Sequence, residues 1–424
     1  MSIDAQMLEG ALNAHLGDAV AFLCEIIRFP SMRGQEGSVM RAMHECLRPY
    51  CSRAELMQIP ESFTEDPEYR WHVPGLSYTE TQNLRLTLDG TDPSARTLIL
   101  NAHADVVPPS GNQPHAFDPE VRNDTVFGRG ACDDKGQIAV IYLVLRTLAS
   151  LGLCPRGRIT CDIVIEEENG GNGTLFMTRH PVPADAAVVL EPSSGQLFID
   201  VRGAVWFELV VTGRPGHSGR TGDVVSALKE ALKAMTVLEQ LHDRLLAEVR
   251  GKFPLFDVYE NPMPITFGET HAGVWPSIVP ATATVKGVFG FLPDKTFRNV
   301  QEEMIKAIKN SPHEYLREHF TLTFNMLNSD GNVLNADHPL VGELAGAAEE
   351  AGFPMTISAM TASCDAWQYS QRLKIPTVVM GAGSLKYAHS NEEQISVQEI
   401  HDVAKTMILF LERWCGLEEM TGQR

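Results

Sequence analysis

Three short, mainly apolar runs constrain the fold of this chain more than any other feature: residues 97–101 (Thr-Leu-Ile-Leu-Asn), 158–165 (Arg-Ile-Thr-Cys-Asp-Ile-Val-Ile) and 186–190 (Ala-Ala-Val-Val-Leu). Each has the length and β-branched content of a buried strand. Between the first two, residues 136–151 carry the length and periodicity of a helix, closed by Gly152 with Pro155 just beyond. A strand, a loop, a helix and a strand in that order predict a layered α/β domain.

At 424 residues the chain exceeds the ~250–300 at which one hydrophobic core stops growing, so two domains are expected. From about Val201 the texture changes. Residues 205–211 alternate like a half-exposed strand and 224–249 read as one long amphipathic helix. Strands follow at 263–267, 281–291 and 320–324, with a helix over 294–310. The α/β texture then returns, with helices at 340–351 and 397–414 and a buried strand at 376–380. The expectation is an α/β domain in two parts, 1–202 and 326–424, interrupted by an inserted helix-and-antiparallel-strand unit over 203–325.

Composition excludes several function classes. Lys plus Arg number 35 against 54 Asp plus Glu, a formal net charge of -19, which leaves no broad basic surface for a phosphate backbone. Nucleic acid is not an expected partner. The apolar stretches 138–148 and 407–411 fall short of the ~18 residues of a membrane span, and the acidic N-terminus has no basic region leading into an apolar core. A cytoplasmic protein without a membrane partner is expected. The eight cysteines are scattered without a CxxC pair, which predicts reduced thiols and places any metal ligands elsewhere.

The chemistry-bearing residues gather at strand ends, where ligand sites in open α/β sheets form. His103-Ala-Asp105 follows the first strand, placing an imidazole and a carboxylate on one side of extended chain. On its own this pair is equally a structural histidine in a turn. Asp133-Asp134 precedes the helix at 136, where helix capping is the simpler explanation. Glu166-Glu167-Glu168 follows the second strand and leads into Asn169-Gly170-Gly171. Such a triplet is usually a solvated charge run, yet here it abuts a core strand, where mutual repulsion invites a cation. Glu191-Pro192 ends the third strand, and His389 follows the strand at 376–380. Together they are a donor set suited to two divalent ions sharing a carboxylate.

In this joint pattern the chain resembles the M20 metallopeptidases, which include aminoacylases, glutamate-releasing carboxypeptidases, acetylornithine deacetylases and succinyl-diaminopimelate desuccinylases. The resemblance spans nearly the whole chain. It implies an α/β di-metal catalytic domain with an inserted α+β lid and dimerisation domain. It assigns His103, Asp133 and Glu191 to one metal and Asp133, Glu168 and His389 to the other, with Asp133 bridging. Asp105 would orient His103, and Glu167 would be the general base, although Glu166-Glu167 is an alternative register for the base and ligand pair. The segment Gly213-Arg-Pro-Gly-His217-Ser-Gly219 resembles the lid motif whose histidine reaches into the partner subunit's site, so His217 is expected to stabilise an oxyanion in trans.

Two departures bear on substrate choice. Ser277-Ile-Val-Pro280 stands where the family commonly has Asn-x-x-Pro, and Asp365-Ala366-Trp367 where it commonly has Asp-Ala-Arg or Asp-Gly-Arg. Trp275-Pro-Ser277 looks like the acetylornithine deacetylase and desuccinylase branch. The expected activity is hydrolysis of a small N-acyl amino acid or related amide by a homodimer holding two Zn²⁺ per subunit, with Co²⁺ or Mn²⁺ as substitutes. A dipeptidase or exopeptidase is the rival within the class, and a non-catalytic metal- or ligand-binding protein the rival outside it. A nucleotide-binding oxidoreductase is discounted, because Gly171-Asn-Gly173 does not make a GxGxxG turn.

Overall fold

The computed structural model of the protein describes residues 3–220 and 222–420. At its centre four parallel strands lie side by side, in the order Ile159–Val164, Leu98–His103, Ala186–Leu190 and Thr377–Met380. Every residue of the four is buried, which is why their sequences run apolar with little alternation. Gln82–Leu88 and then Arg53–Gln58 extend the sheet antiparallel on one side, and Gln196–Val201 runs antiparallel on the other. Thr356–Met360 and Asn332–Val333 pair with Gln196–Val201, completing a mixed nine-stranded sheet.

The helix expected from residue 136 spans Lys135–Ser150, and Gly152 takes a left-handed φ of +63° just past its end. It packs with Ala5–Ile27 and Val397–Trp414 over the main core. No sequence expectation covers Ala5–Ile27, because Glu9, Asp18 and Glu25 interrupt its apolar run. Its 23 residues reach the length and composition of a membrane-spanning helix. Here one face of it, from Leu8 and Leu12 to Phe22, Ile26 and Ile27, is buried in the core.

Between Val201 and Asn332 the chain leaves this sheet and builds a second, antiparallel one. Its order is Ile265–Ala272, Thr282–Phe291, Gly203–Thr212 and Phe320–Thr323. Asn328–Ser329, just past the expected end of the insert, also pairs with Gly203–Thr212. Helices Ala227–Val249 and Phe297–Lys309 pack on this sheet around a separate core that includes Phe207, Leu238, Leu241, Phe289 and Val300. Both helices begin three residues later than the periodicity suggests, and the cause is capping. The Ser226 side chain accepts the Lys229 N–H at the first. Thr296 and Asn299 form a capping box at the second.

One buried ion pair ties the central sheet across two strands. Arg85 donates to both oxygens of Asp162, at 2.7 and 2.9 Å, and to the His180 carbonyl at 2.8 Å. Removing one partner strands the other charge in the core. Arg85→Met should therefore cost about 3–5 kcal/mol in urea unfolding. Pairing it with Asp162→Leu should recover much of that loss, and equal losses in the single and double variants would refute the account.

Candidate metal centre

Because the four parallel strands end at one edge, their C-terminal loops deliver the acids and histidines to one place. His103 is the last residue of Leu98–His103. Its Nε2 lies 3.1 Å from Asp133 Oδ1, while its Nδ1 faces the Asp105 backbone oxygen at 3.0 Å and Asp105 Oδ1 at 3.4 Å. The Asp105 carboxylate does a second thing: its two oxygens accept the backbone N–H groups of Glu167 and Glu168, each at 3.1 Å. One buried carboxylate thus sets both the imidazole of one loop and the backbone of the next.

The glutamate triplet separates into three environments. Glu166 holds a left-handed φ of +59° and is fully engaged, accepting from Arg33 Nε at 2.9 Å, Tyr78 Oη at 2.9 Å and Asn172 Nδ2 at 2.6 Å. Glu168 Oε1 lies 2.9 Å from His389 Nε2, which is also 3.2 Å from Asp133 Oδ2. The Glu167 carboxylate, on a residue only 9% exposed, makes no hydrogen bond among the described residues. The turn that follows is tight. Gly173 donates to the Ile165 carbonyl at 3.1 Å, and a Cβ at Gly173 would fall 2.1 Å from that oxygen.

Two groups of donors result. One ligand atom each from His103, Asp133, Asp134 and Glu191 lie within 4.8 Å of one another, and so do atoms of Asp133, Glu168 and His389. Asp133 belongs to both. The expected ligands are thus brought together, and Asp134 joins them. The capping explanation of Asp134 fails: it occupies the position before Lys135–Ser150, but its side chain caps nothing. Its Oδ2 accepts the His103 N–H at 2.9 Å, and its buried Oδ1 has no partner.

A further pair supports the loop and was not legible in the sequence, since its members lie far apart in the chain. Arg129 donates to Glu393 at 2.6 Å with both side chains buried, and Glu393 Oε1 accepts the backbone N–H groups of Cys132 and Asp133. His217 lies elsewhere, exposed on the short Gly216–His217 strand of the insert, paired with Ile278–Val279. Ser277 is beside it, its carbonyl accepting from Ser218 N at 2.9 Å. Trp367 is buried under the Arg372 guanidinium, 4.6 Å from the ring centre, and Asp365 accepts from Thr174 and Gln368.

The electrostatics call for a cation. Burial, then the neighbouring carboxylates Asp365 and Glu168, push Glu167 well above the usual carboxylate range, and burial with Asp134 does the same to Glu191. Burial alone would depress the two imidazoles. Carboxylates override it, raising His103 through Asp134, Asp105 and Asp133, and raising His389 to about 11 through Glu168 and Asp133. Oxygen and imidazole donors without thiolates fit zinc, cobalt or manganese, and the unpartnered Asp134 Oδ1 is the kind of orphan a bound ion would satisfy.

In the metal-free protein, imidazoles with raised pKa stabilise the fold fully below their unfolded value of ~6.5, and that stabilisation is lost as pH rises toward about 11. A metal must displace their protons. Calorimetric titration with Zn²⁺ in buffers of different ionisation enthalpy should show two or more protons released per chain near neutral pH, and apparent affinity rising from pH 6 to 8. Uptake without proton release would contradict this charge state.

Comparison with known proteins agrees with this geometry. The sequence profile of Peptidase family M20/M25/M40 matches residues 99–413. A probable carboxypeptidase of Aspergillus fumigatus is 24% identical over 410 residues, covering 94% of this chain and 86% of its own length. The N-formyl-4-amino-5-aminomethyl-2-methylpyrimidine deformylase of Halalkalibacterium halodurans is 24% identical over 81% of this chain and 85% of its own. Among solved structures, a di-peptidase of Saccharomyces cerevisiae shares the fold with a TM-score of 0.76 at 15% identity, over 98% of this chain and 99% of that one.

Proposed function

Since the chain belongs to the M20/M25/M40 peptidase family of metal-dependent hydrolases, we propose that it cleaves the amide bond of a small N-acyl amino acid or related amide, releasing a carboxylate and an amine. The observation that carries this reading is the division of labour at Glu166–Glu168. One acid is spent on structure, one reaches the histidine of the second donor group, and the middle one is left without a bond beside both groups.

His103, Asp133 and Glu191 would hold one divalent ion, and Asp133, Glu168 and His389 a second, zinc being the first choice, with Asp134 beside the first group. Two such ions lower the pKa of a water and polarise a scissile carbonyl. Glu167 accepts the proton of the attacking water and delivers it to the departing amine, a task suited to a carboxyl whose pKa burial has raised. Asp105 keeps His103 in one tautomer and the Glu167 backbone in place. His217 of the partner subunit would meet the oxyanion in a homodimer. The chain's negative charge and its eight scattered cysteines, with no CxxC pair, suit a cytoplasmic enzyme acting on small molecules.

Peptidase and deformylase relatives keep the dipeptidase or exopeptidase alternative in view. A panel of acetyl, succinyl, formyl and aminoacyl amides with the zinc-loaded protein would decide between them. Release of amine from none would favour a binding protein. Glu167→Gln should retain metal while turnover falls by ~10²- to 10⁴-fold, whereas Glu168→Gln should lose metal from one side. Metal loss in Glu167→Gln instead would move the base to Glu166.

Donation of His217 in trans has its own test. Glu167→Gln and His217→Ala homodimers should both be nearly inactive. Unfolding and co-refolding equal amounts makes half the dimers mixed, each with one intact site, so roughly a quarter of wild-type activity should return. Mixed dimers that form yet stay inactive would confine His217 to its own subunit.

A further inference from the structure

The turn that carries Glu167 and Glu168 is held at its start by Asp105, whose carboxylate accepts their backbone N–H groups. A second buried carboxylate holds its far end. Asp365 is buried and forms no ion pair among the described residues, yet both of its oxygens are engaged. Oδ2 accepts from Thr174 Oγ1 at 2.5 Å, and Oδ1 from Gln368 Nε2 at 3.0 Å. Gln368, itself buried, uses the same Nε2 on the Gly171 carbonyl at 2.7 Å and its backbone N–H on the Asp365 carbonyl at 2.9 Å. A buried carboxylate without a cation is costly unless neighbouring donors satisfy it. Here the donors that do so are tied to the turn after Glu168.

The contact is close. Gly171 has a φ of +66°, and a Cβ there would fall 2.5 Å from Gln368 Nε2 and 2.8 Å from Asp365 Oδ1, an approach that glycine admits and a larger residue would push apart. The N–H groups of Gly171 and Gly170 both return to the Glu166 carbonyl, at 2.8 and 3.1 Å, closing the turn around Glu167 and Glu168. Thr174 stands in the first turn of Asn172–Arg179, where the Leu175 N–H donates to the Gly171 carbonyl at 2.9 Å. Asp365 and Gln368 thus grip both the end of the turn and the start of the helix that follows. Of the two acids inside the turn, Glu168 has a partner in His389. Glu167 has none among the described residues, so its place depends on how firmly the backbone is held.

We propose that Asp365, with Gln368, is a positioning residue for the general base: it fixes the Gly171 end of the turn and so keeps the unbonded Glu167 carboxylate beside the two donor groups. The hold comes from the second part of the chain, Gln368 lying 197 positions from Gly171, and complements that of Asp105. This inference rests on the amide-hydrolase reading and adds to it the residues that keep the base in place.

The test has one arm that needs no turnover. In the zinc-loaded protein, hydrogen exchange at the amides of Gly170, Gly171 and Leu175 should be at least ~10-fold faster in Asp365→Ala than in the wild type. Amides of the insert strand Gly203–Thr212 should be unchanged and serve as the internal control. Asp365→Asn keeps an acceptor for Gln368 and lets Thr174 Oγ1 accept from its amide, so it should recover most of the protection. In the second arm, Asp365→Ala should lower kcat by ~10²-fold, as expected for a catalytic group misplaced by about 1 Å, with KM changed by less than ~3-fold. The Co²⁺-loaded variant should keep its metal stoichiometry and its visible spectrum, since every assigned ligand remains, and Asp365→Asn should regain most of the turnover. If Asp365→Ala does not fold, Thr174→Val and Gln368→Met, which each remove one donor, should show smaller effects in the same direction. Exchange that behaves as expected in a wild-type protein that hydrolyses no amide upholds the positioning, and only the activity reading fails. Unchanged exchange, a loss of metal that accounts for the lost turnover, or an Asp365→Asn protein as impaired as Asp365→Ala overturns the proposal.

Discussion

The crowding of carboxylates at one edge of the central sheet is the constraint on which the rest of this structure depends. Asp105, Asp133, Asp134, Glu167, Glu191 and Asp365 are all buried there, and Glu168 is half-buried beside them. Among the described residues, two imidazoles share this space with direct contacts to the acids. Without a cation, burial and mutual repulsion force several of the acids toward their protonated forms. With one, the same arrangement becomes a binding site whose free energy adds to that of folding.

The surrounding fold holds those acids against their repulsion. Parallel strands bring four loops to one edge, and each loop is then secured from outside. Arg129 and Glu393 clamp the backbone before Asp133. Arg33, Tyr78 and Asn172 clamp Glu166. Glu166 and His389 both hold left-handed φ values, near +59° and +60°. A non-glycine residue in that region costs of order 1–3 kcal/mol, and such strain persists only where the surroundings over-determine it.

The insert is built on a different principle. It closes its own core and meets the catalytic part through strand pairing and through aromatic and polar contacts, among them Trp71 with Trp206 at 5.8 Å and Tyr259 with Ser358 at 3.1 Å.

Much of this was legible in the chain itself. The buried strands at 97–101, 158–165 and 186–190, the helix from 136 and the change of texture near Val201 follow from period and composition, because a strand buried on both faces has no alternative to an apolar run. His103, the Asp133-Asp134 pair, the Glu166–Glu168 triplet, Glu191 and His389 stood out as acids and imidazoles at the ends of core strands, where they are costly unless something binds them, and the resemblance to the M20 family chose the ligands among them. What lay beyond the sequence is whatever depends on residues distant in the chain meeting in space. Glu166, Glu167 and Glu168 are chemically alike and adjacent, and only the fold, through Arg33, Asp105 and His389, gives them three different environments. Asp134 read as a helix cap until the His103 backbone claimed it, and Gln368 and Gly171, 197 positions apart, meet only because the second part of the chain returns to the same sheet edge. The types of side chain and their strand-end positions were set by local pattern, but which acid is free and which is bound is a matter of three-dimensional neighbours.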